Sequence, residues 1–155
     1  MSTLVVQAST PEGWAAVDRL IREYLAELPF EIDFQDLDRE LAELPMEYGP
    51  PSGAALLAVE GDEAVGFVGV RRFGDGVGEV KRMYVAPAGR GKGIGRALAT
   101  AAVDAAAVLG YRELLLDTVA SMTAAIATYT SLGFEPTEPY RHNPLPEARF
   151  FRLVL

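Results

Sequence analysis

The sequence contains no cysteine and only one histidine, His142, among its 155 residues. Without cysteine the chain can form no disulfide and has no thiol nucleophile or thiolate metal ligand. A single histidine also excludes a histidine-rich metal centre, so we expect no bound metal. No apolar stretch approaches the ~20 residues that a membrane-spanning helix needs, and the first residues show no basic-then-apolar signal pattern. These absences predict a cytoplasmic protein without a membrane partner.

Positive charge is also scarce, because 14 lysines and arginines stand against 22 aspartates and glutamates, a formal net charge of −8. An acidic surface repels a nucleic-acid backbone, so we expect no nucleic-acid partner. The cations that do occur are concentrated between residues 71 and 96. A local positive patch on an acidic protein indicates a small anionic ligand. The patch comprises Arg71, Arg72, Lys81, Arg82, Arg90, Lys92 and Arg96.

Length and hydrophobic content predict a single domain over residues 1–155, because a chain this long with 50% hydrophobic residues can build one core but rarely two. The periodicity predicts about seven strands and four helices in the order β-α-α-β-β-β-α-β-α-β-β. Antiparallel hairpins come first and a strand–helix–strand crossover follows, which predicts an α/β (α+β) fold with a mixed sheet.

The predicted boundaries follow from turn and capping residues. A first helix runs from a cap at Ser9 or Thr10 to a stop at Pro29, and a last helix lies between Ser121 and Gly133. The other helices are predicted at 33–44 and 91–110, with a loop at 45–53. Strands are predicted at 3–8, 54–60, 63–73, 77–86, 111–119, from 134 into 140, and at 148–155.

The segment GRGKGIG, residues 89–95, joins a predicted strand to a predicted helix. The first turn of a helix has free N–H groups and a partial positive charge, which together attract phosphates. Glycines remove the Cβ atoms that would hold a phosphate oxygen away from those N–H groups. With Arg90, Lys92 and Arg96 adding formal charge, the segment is interpreted as a diphosphate-binding loop.

Two common phosphate-binding motifs do not fit this loop. The mononucleotide P-loop requires Ser or Thr after its lysine, whereas Gly93 follows Lys92. The dinucleotide fingerprint requires G-x-G-x-x-G after the first strand, whereas here the spacing is G-x-G-x-G and several strands come first. Asp117 has a position in the sequence like that of the ribose-binding acid of that fold, but the glycine spacing before it does not match. A flexible connection without a ligand is the remaining alternative, but alternating glycines cost backbone entropy on folding.

Two segments resemble the GCN5-related N-acetyltransferase (GNAT) superfamily. RGKGIG (90–95) follows YVAP and matches the pattern [Q/R]-x-x-G-x-[G/A], and AAIATYTSLGFEP (124–136) is similar to the family's second motif. The resemblance extends over essentially the whole chain and implies a GNAT-like acyl-CoA N-acyltransferase fold.

The resemblance implies that acetyl-CoA lies between the fourth and fifth strands as cosubstrate. The backbone of Met83, Tyr84 and Val85 would then face the pantetheine arm, and the backbone of Thr118 would contact it from the fifth strand. Met122 stands where relatives often have an asparagine, which removes one amide contact. The N–H groups that would face the diphosphate are those of Arg90, Gly91, Lys92, Gly93, Ile94, Gly95 and Arg96.

The resemblance also implies two catalytic groups. Tyr129 occupies the position of a helix tyrosine that donates a proton to the sulfur of CoA, although its spacing also fits core packing. Glu79 matches a catalytic glutamate that takes the proton of the amine, although an ion pair with Lys81 or with an arginine of the sheet is equally consistent. An ordered water can replace such a base. His142 is either a loop base or simply solvated.

The resemblance implies an acetyl-CoA-dependent N-acetyltransferase, and the expected acceptor is the amine of a small molecule. One alternative is a protein acetyltransferase acting on a lysine or an N-terminus. Another is a CoA-binding sensor domain without catalysis. Relatives are often dimers, so a homodimer is consistent with the resemblance.

Overall fold

The computed structural model describes residues 3–29 and 36–155. All its strands belong to one sheet. The chain forms β1 (Thr3–Gln7), α1 (Pro11–Glu27), α2 (Leu37–Ala42), α3 (Leu44–Tyr48), β2 (Ala54–Glu60), β3 (Glu63–Gly74), β4 (Val77–Val85), a 3-10 turn (Pro87–Gly89), α4 (Ile94–Val108), β5 (Glu113–Val119), α5 (Thr123–Ser131), β6 (Glu135–Pro136) and β7 (Ala148–Val154).

The seven strands are ordered β1-β2-β3-β4-β5-β7-β6. Neighbours pair antiparallel except β4 and β5, which run parallel because α4 crosses over between them. The parallel pairing covers only 77–79 against 113–115, after which the two strands diverge. The second half of β4 therefore has an unpaired edge that opens into a V-shaped gap.

A β-bulge interrupts β4 just where the gap opens. Tyr84 pairs with Phe67 and Lys81 pairs with Gly69, so the two residues between them on β4 face one residue of β3. Arg82 lies in the bulge with φ of 63°, a conformation that non-glycine residues rarely adopt.

The core lies in two layers, one on each face of the sheet. One layer packs α4 and α5 against the sheet and includes Leu98, Leu114 and Phe134. The other packs α1 and α3 against the opposite face and includes Leu20 and Phe67. Burial of these side chains on both faces is the main stabilising contribution to the sheet.

The predicted fold class, strand count and element order are confirmed, with corrections to the helices and to one strand. The structure has five α-helices rather than four, because residues 44–48 form a short helix where the sequence predicted a loop. The helix predicted at 33–44 covers only Leu37–Ala42, and its residues 33–35 lie outside the described residues. The strand predicted from 134 into 140 is limited to Glu135–Pro136.

Helix α4 begins at Ile94 and not at residue 91 as predicted. Gly91 and Gly93 have φ of 78° and 77°, which no right-handed helix can include. The loop therefore continues for three residues longer than the hydrophobic pattern suggests. The helix ends at Val108 rather than 110, and Gly110 follows with φ of 90° as a helix terminator.

Candidate active site

The gap between β4 and β5 contains a groove of about 350 Å³. One wall is the unpaired part of β4, another is the C-terminal end of α1, and a third is the start of α5. Five of the residues that the sequence assigned to the cofactor line this groove. They are Met83, Tyr84, Val85, Arg90 and Gly95; the other lining residues are Tyr24, Glu27, Leu28, Pro29, Met122, Ala124, Ala125 and Thr128.

The glycine loop leads directly into the first turn of α4 at one end of the groove. A Cβ added at Gly91 or Gly93 would meet no atom within 4 Å, and one at Gly95 would meet only Val85 Cγ2 at 3.9 Å. Apart from the chain neighbours of each glycine, no atom of the described residues therefore blocks the Cβ positions of Gly91 and Gly93. Ile94 contributes only its backbone there, because its side chain is 2% exposed and packs into the core.

This cradle fits a diphosphate group. It combines unhindered N–H groups with the positive end of a 15-residue helix, and cationic side chains surround it. The unpaired edge of β4 next to it offers N–H and C=O groups to an extended ligand, as an added strand would use them. Acetyl-CoA has both features, a diphosphate and a pantetheine arm with amide groups.

The cationic side chains of the loop are each engaged with a protein partner. Arg90 donates from Nη2 to Glu27 Oε1 at 2.6 Å and from Nε to the Val85 carbonyl at 3.0 Å. Lys92 binds both carboxylate oxygens of Glu60 at 3.1 Å. Of these two cations, only Arg90 lines the groove, and its partner Glu27 is another lining residue.

Arg96 and Thr118 do not line the groove. Arg96 extends from the first turn of α4 to Ser131 Oγ at the end of α5. Thr118 lies on β5, where it lines a second and deeper cavity rather than the groove itself. Of the predicted cofactor residues, five therefore line the groove and Thr118 lines the second cavity.

The Tyr129 side chain lies behind the groove wall. Its ring packs edge-to-face on Phe134 with centroids 5.5 Å apart, and its hydroxyl donates to Met83 Sδ at 3.6 Å. Burial raises the Tyr129 pKa above its usual value, so the hydroxyl stays protonated. Tyr129 lines neither cavity, and Met83 separates it from the groove.

The Glu79 carboxylate is enclosed by three donors. Arg71 Nε lies 3.2 Å and Arg141 Nη2 2.7 Å from Oε1, while the Tyr140 hydroxyl donates to Oε2 at 2.8 Å. The side chain is 1% exposed and lines neither cavity. This arrangement favours the ion-pair interpretation of Glu79 over the role of a base. It also raises the Tyr140 pKa, chiefly through burial and then through the Glu79 charge.

A second, smaller cavity of about 60 Å³ continues from the groove deeper between β4 and β5. Lys81 and Asp117 face each other there with Nζ and Oδ1 3.5 Å apart, and both side chains are 4% exposed. Asn143 Nδ2 donates to Asp117 Oδ2 at 3.0 Å. Burial lowers the Lys81 pKa to about 8, against the opposing effect of Glu79 and Asp117. We call this space the acceptor cavity.

Arg82 forms the wall of the acceptor cavity that faces α2. Its guanidinium donates to both carboxylate oxygens of Glu40, from Nε at 3.0 Å and Nη2 at 2.9 Å. The Tyr48 hydroxyl donates to the same carboxylate at 2.8 Å. Such a buried bidentate pair gives the wall a fixed geometry.

The sequence profile of the Acetyltransferase (GNAT) family matches residues 15–134. The chain belongs to the GNAT family. The chain is 42% identical to an uncharacterized N-acetyltransferase of Schizosaccharomyces pombe over 138 residues, which cover 88% of this chain and 85% of the relative. It is 37% identical to an aminoglycoside N(6')-acetyltransferase of Stenotrophomonas maltophilia over 112 residues, 66% of this chain and 73% of that one.

Solved structures show the same fold. The chain superposes with a TM-score of 0.75 on yncA of Salmonella typhimurium, which was solved with its cofactor acetyl-CoA. That comparison covers 99% of this chain and 94% of yncA at 23% identity, so it concerns the fold alone. This GNAT protein is an N-acetyltransferase, and it has the fold with which its family binds acetyl-CoA.

Two absences hold for residues 3–29 and 36–155 of this GNAT protein. Within these ranges no helix is both long and apolar enough to cross a membrane. No group of three or more His, Cys, Asp or Glu side chains in them is arranged to hold a metal ion.

Sequence reasoning assigned no functional role to Tyr24 or Glu27 of α1. Tyr24 and Glu27 line the groove, but their spacing and charge look like those of any amphipathic helix. It placed Lys81 only in the cationic patch and as a possible ion-pair partner of Glu79, whereas in the structure Lys81 lines the acceptor cavity. Lys81 stands beside Arg82 and two residues after Glu79 in VGEVKRMYV, so nothing in the sequence of the strand singles it out as a buried lysine.

Proposed function

We propose that this N-acetyltransferase transfers the acetyl group of acetyl-CoA to the amine of a small molecule that binds in the acceptor cavity. The observation that carries the proposal is that the groove and the acceptor cavity adjoin and share Tyr24 and Met122 as lining residues. A long ligand in the groove and a small one in the cavity would therefore meet at these two side chains.

The size of the acceptor cavity supports a small acceptor. Its volume of about 60 Å³ lies between two diverging strands, with Asn143 and Leu145 of the loop before β7 on one side. A peptide would need an open groove several residues long, whereas this cavity has room for little more than an amine and its nearest carbons. The aminoglycoside acetyltransferase among its relatives supports the same class of acceptor.

One charge in the cavity, the Asp117 carboxylate, suits an amine that arrives as a cation, while Lys81 and Arg82 of the same lining oppose it. Asp117, held by Asn143 and Lys81, offers an anionic oxygen at the cavity wall. A typical primary amine has a pKa near ~10.4, so it binds as ammonium and must lose a proton before it attacks. With Glu79 enclosed by its three donors, solvent water in the cavity is the simplest proton acceptor.

The groove residues would position the cosubstrate. The N–H groups of the glycine loop and of the first turn of α4 would hold the diphosphate, and Met83 to Val85 would bind the pantetheine through the edge of β4. Tyr129 would supply the proton that the leaving thiolate needs once Met83 moves aside. These assignments rest on the family resemblance together with the positions that the structure gives these residues.

Thiol release from acetyl-CoA in the presence of an amine panel tests the proposal. The panel contains methylamine, neutral and acidic amino acids, spermidine, kanamycin and a lysine-containing peptide. We expect saturable turnover with at least one small amine and a lower kcat/KM with the peptide. Preference for the peptide would indicate a protein acetyltransferase. Calorimetric binding of acetyl-CoA without turnover of any acceptor would indicate a sensor domain.

A further inference from the structure

Tyr24 lies at the boundary between the groove and the acceptor cavity. Only Tyr24 and Met122 appear in the lining of both spaces among the described residues. If the thioester lies in the groove and the amine in the cavity, the reacting atoms meet at this boundary. The Met122 thioether is a weak acceptor with no proton to donate, whereas the Tyr24 hydroxyl can both donate and accept a hydrogen bond.

The Tyr24 hydroxyl is available for a ligand. Within residues 3–29 and 36–155 it makes no hydrogen bond, while its ring is held against the Tyr84 ring with centroids 5.9 Å apart and an interplanar angle of 59°. The hydroxyls of Tyr48, Tyr84, Tyr111, Tyr129 and Tyr140, by contrast, all donate to a protein partner.

The hydroxyl also keeps its proton. Burial raises the Tyr24 pKa, and the Asp117 and Glu40 charges add to the effect, while Arg82 opposes it. A neutral phenol is a good hydrogen-bond donor to a carbonyl oxygen that gains negative charge, and its oxygen remains free to accept an N–H.

We propose that Tyr24 is a catalytic residue that bridges the two substrates, its hydroxyl donating to the thioester carbonyl oxygen while its oxygen accepts an N–H from the acceptor amine. The proposal rests on the proposed function, since it needs acetyl-CoA in the groove and an amine in the acceptor cavity. The bridge aims the nitrogen lone pair at the carbonyl carbon.

The chemical step balances without net proton transfer to Tyr24. The neutral amine nitrogen bonds to the carbonyl carbon, and negative charge grows on the carbonyl oxygen, where the Tyr24 hydrogen bond strengthens. The C–S bond then breaks and the carbonyl re-forms. One proton leaves the nitrogen for water, and the thiolate takes one from the Tyr129 hydroxyl, which regains it from water, so the products are the N-acetyl amine and CoA.

Tyr24→Phe tests the proposal because it removes the hydroxyl and leaves the ring against Tyr84. We expect kcat for acetyl transfer to methylamine, and to the fastest amine of the panel, to fall about 100-fold. This is the effect of losing one hydrogen-bond donor to a developing oxyanion. By calorimetry, affinity for acetyl-CoA should fall about two- to tenfold, the range of one neutral hydrogen bond, while affinity for CoA itself should not change.

Tyr111→Phe is the matched control, because its hydroxyl donates to the Ser52 carbonyl away from both cavities. It should leave kcat and both affinities unchanged. A kcat within threefold of wild type for Tyr24→Phe would overturn the proposal. An equal loss of affinity for acetyl-CoA and for CoA would also overturn it, because the hydroxyl would then only maintain the shape of the groove. If the wild type acetylates no small amine, the proposed function fails first; if it does and Tyr24→Phe is normal, only the bridging role fails.

Discussion

Replacing Gly95 with alanine should increase the stability of the protein and at the same time lower its affinity for acetyl-CoA. Gly95 is the second residue of α4, its φ lies outside the left-handed region, and an added Cβ would meet only Val85 Cγ2 at 3.9 Å. Alanine is therefore accommodated without strain. The new methyl group would project into the groove that Gly95 lines.

The two effects have separate magnitudes. Alanine favours a helix over glycine by about 0.5–1 kcal/mol, which for a chain of this length raises Tm by about 1–4 °C. A methyl group that keeps a phosphate oxygen off one N–H removes a hydrogen bond to a charged group, about 1.5–3 kcal/mol, or roughly 10- to 100-fold in Kd.

Thermal unfolding and calorimetry with acetyl-CoA measure these effects on the same samples. Thr100→Ala is the matched control, because Thr100 is an exposed residue of α4 that does not line the groove, so it should gain stability without loss of affinity. A Gly95→Ala protein that gains stability and binds acetyl-CoA within twofold of wild type would refute the diphosphate assignment. Gly93→Val is a poorer test, because φ of 77° would strain any valine there whatever the ligand does.

Three further predictions concern charges and protons around the groove. Glu27→Gln removes the exposed ion pair with Arg90, which contributes about 0.2–1 kcal/mol, so affinity for acetyl-CoA should rise by up to about fivefold. Calorimetry measures that affinity, and Glu23→Gln on the same helix should leave it unchanged. Burial lowers the Lys81 pKa to about 8 from the usual 10.5, so the unfolded chain binds more protons than the folded one between these pH values. The free energy of unfolding should therefore rise with pH in this range, by at most about 1.4 kcal/mol per pH unit. Urea unfolding on either side of pH 8 measures that rise, and Lys81→Met should abolish it. Tyr129→Phe should lower kcat by about tenfold or more with little change in acetyl-CoA affinity, and unchanged turnover would leave Tyr129 only its packing role.

The diphosphate loop could be predicted from the sequence because its signals are local. Glycines at alternate positions and nearby cations have their physical meaning within seven residues, whatever the rest of the chain does. The predicted start of α4 is three residues too early, because hydrophobic spacing contains no information on the positive φ angles of Gly91 and Gly93. Boundaries depend on backbone dihedral angles, which composition reports only indirectly.

The catalytic side of the site depends on contacts between distant segments, and there the sequence was a weaker guide. Glu79 stands in a suitable strand, but Tyr140 and Arg141, more than 60 residues later, enclose its carboxylate. Tyr24 falls on the same helical face as Val17 and Ile21, which are fully buried. Nothing in that spacing distinguishes the tyrosine that reaches the cavities from the residues that pack below it.

The bulge in β4 connects these observations, because side chains alternate between the two faces of a strand and one extra residue shifts the alternation. Lys81 pairs with Gly69 on the α3 side of the sheet, and Arg82 stays on that side to meet Glu40. Without the bulge, Met83 would point toward α1 and Tyr84 toward α5. With it, Met83 faces Tyr129 and Tyr84 faces Tyr24. The bulge at Arg82 in β4 therefore determines that Met83 contacts Tyr129 and that Tyr84 contacts Tyr24.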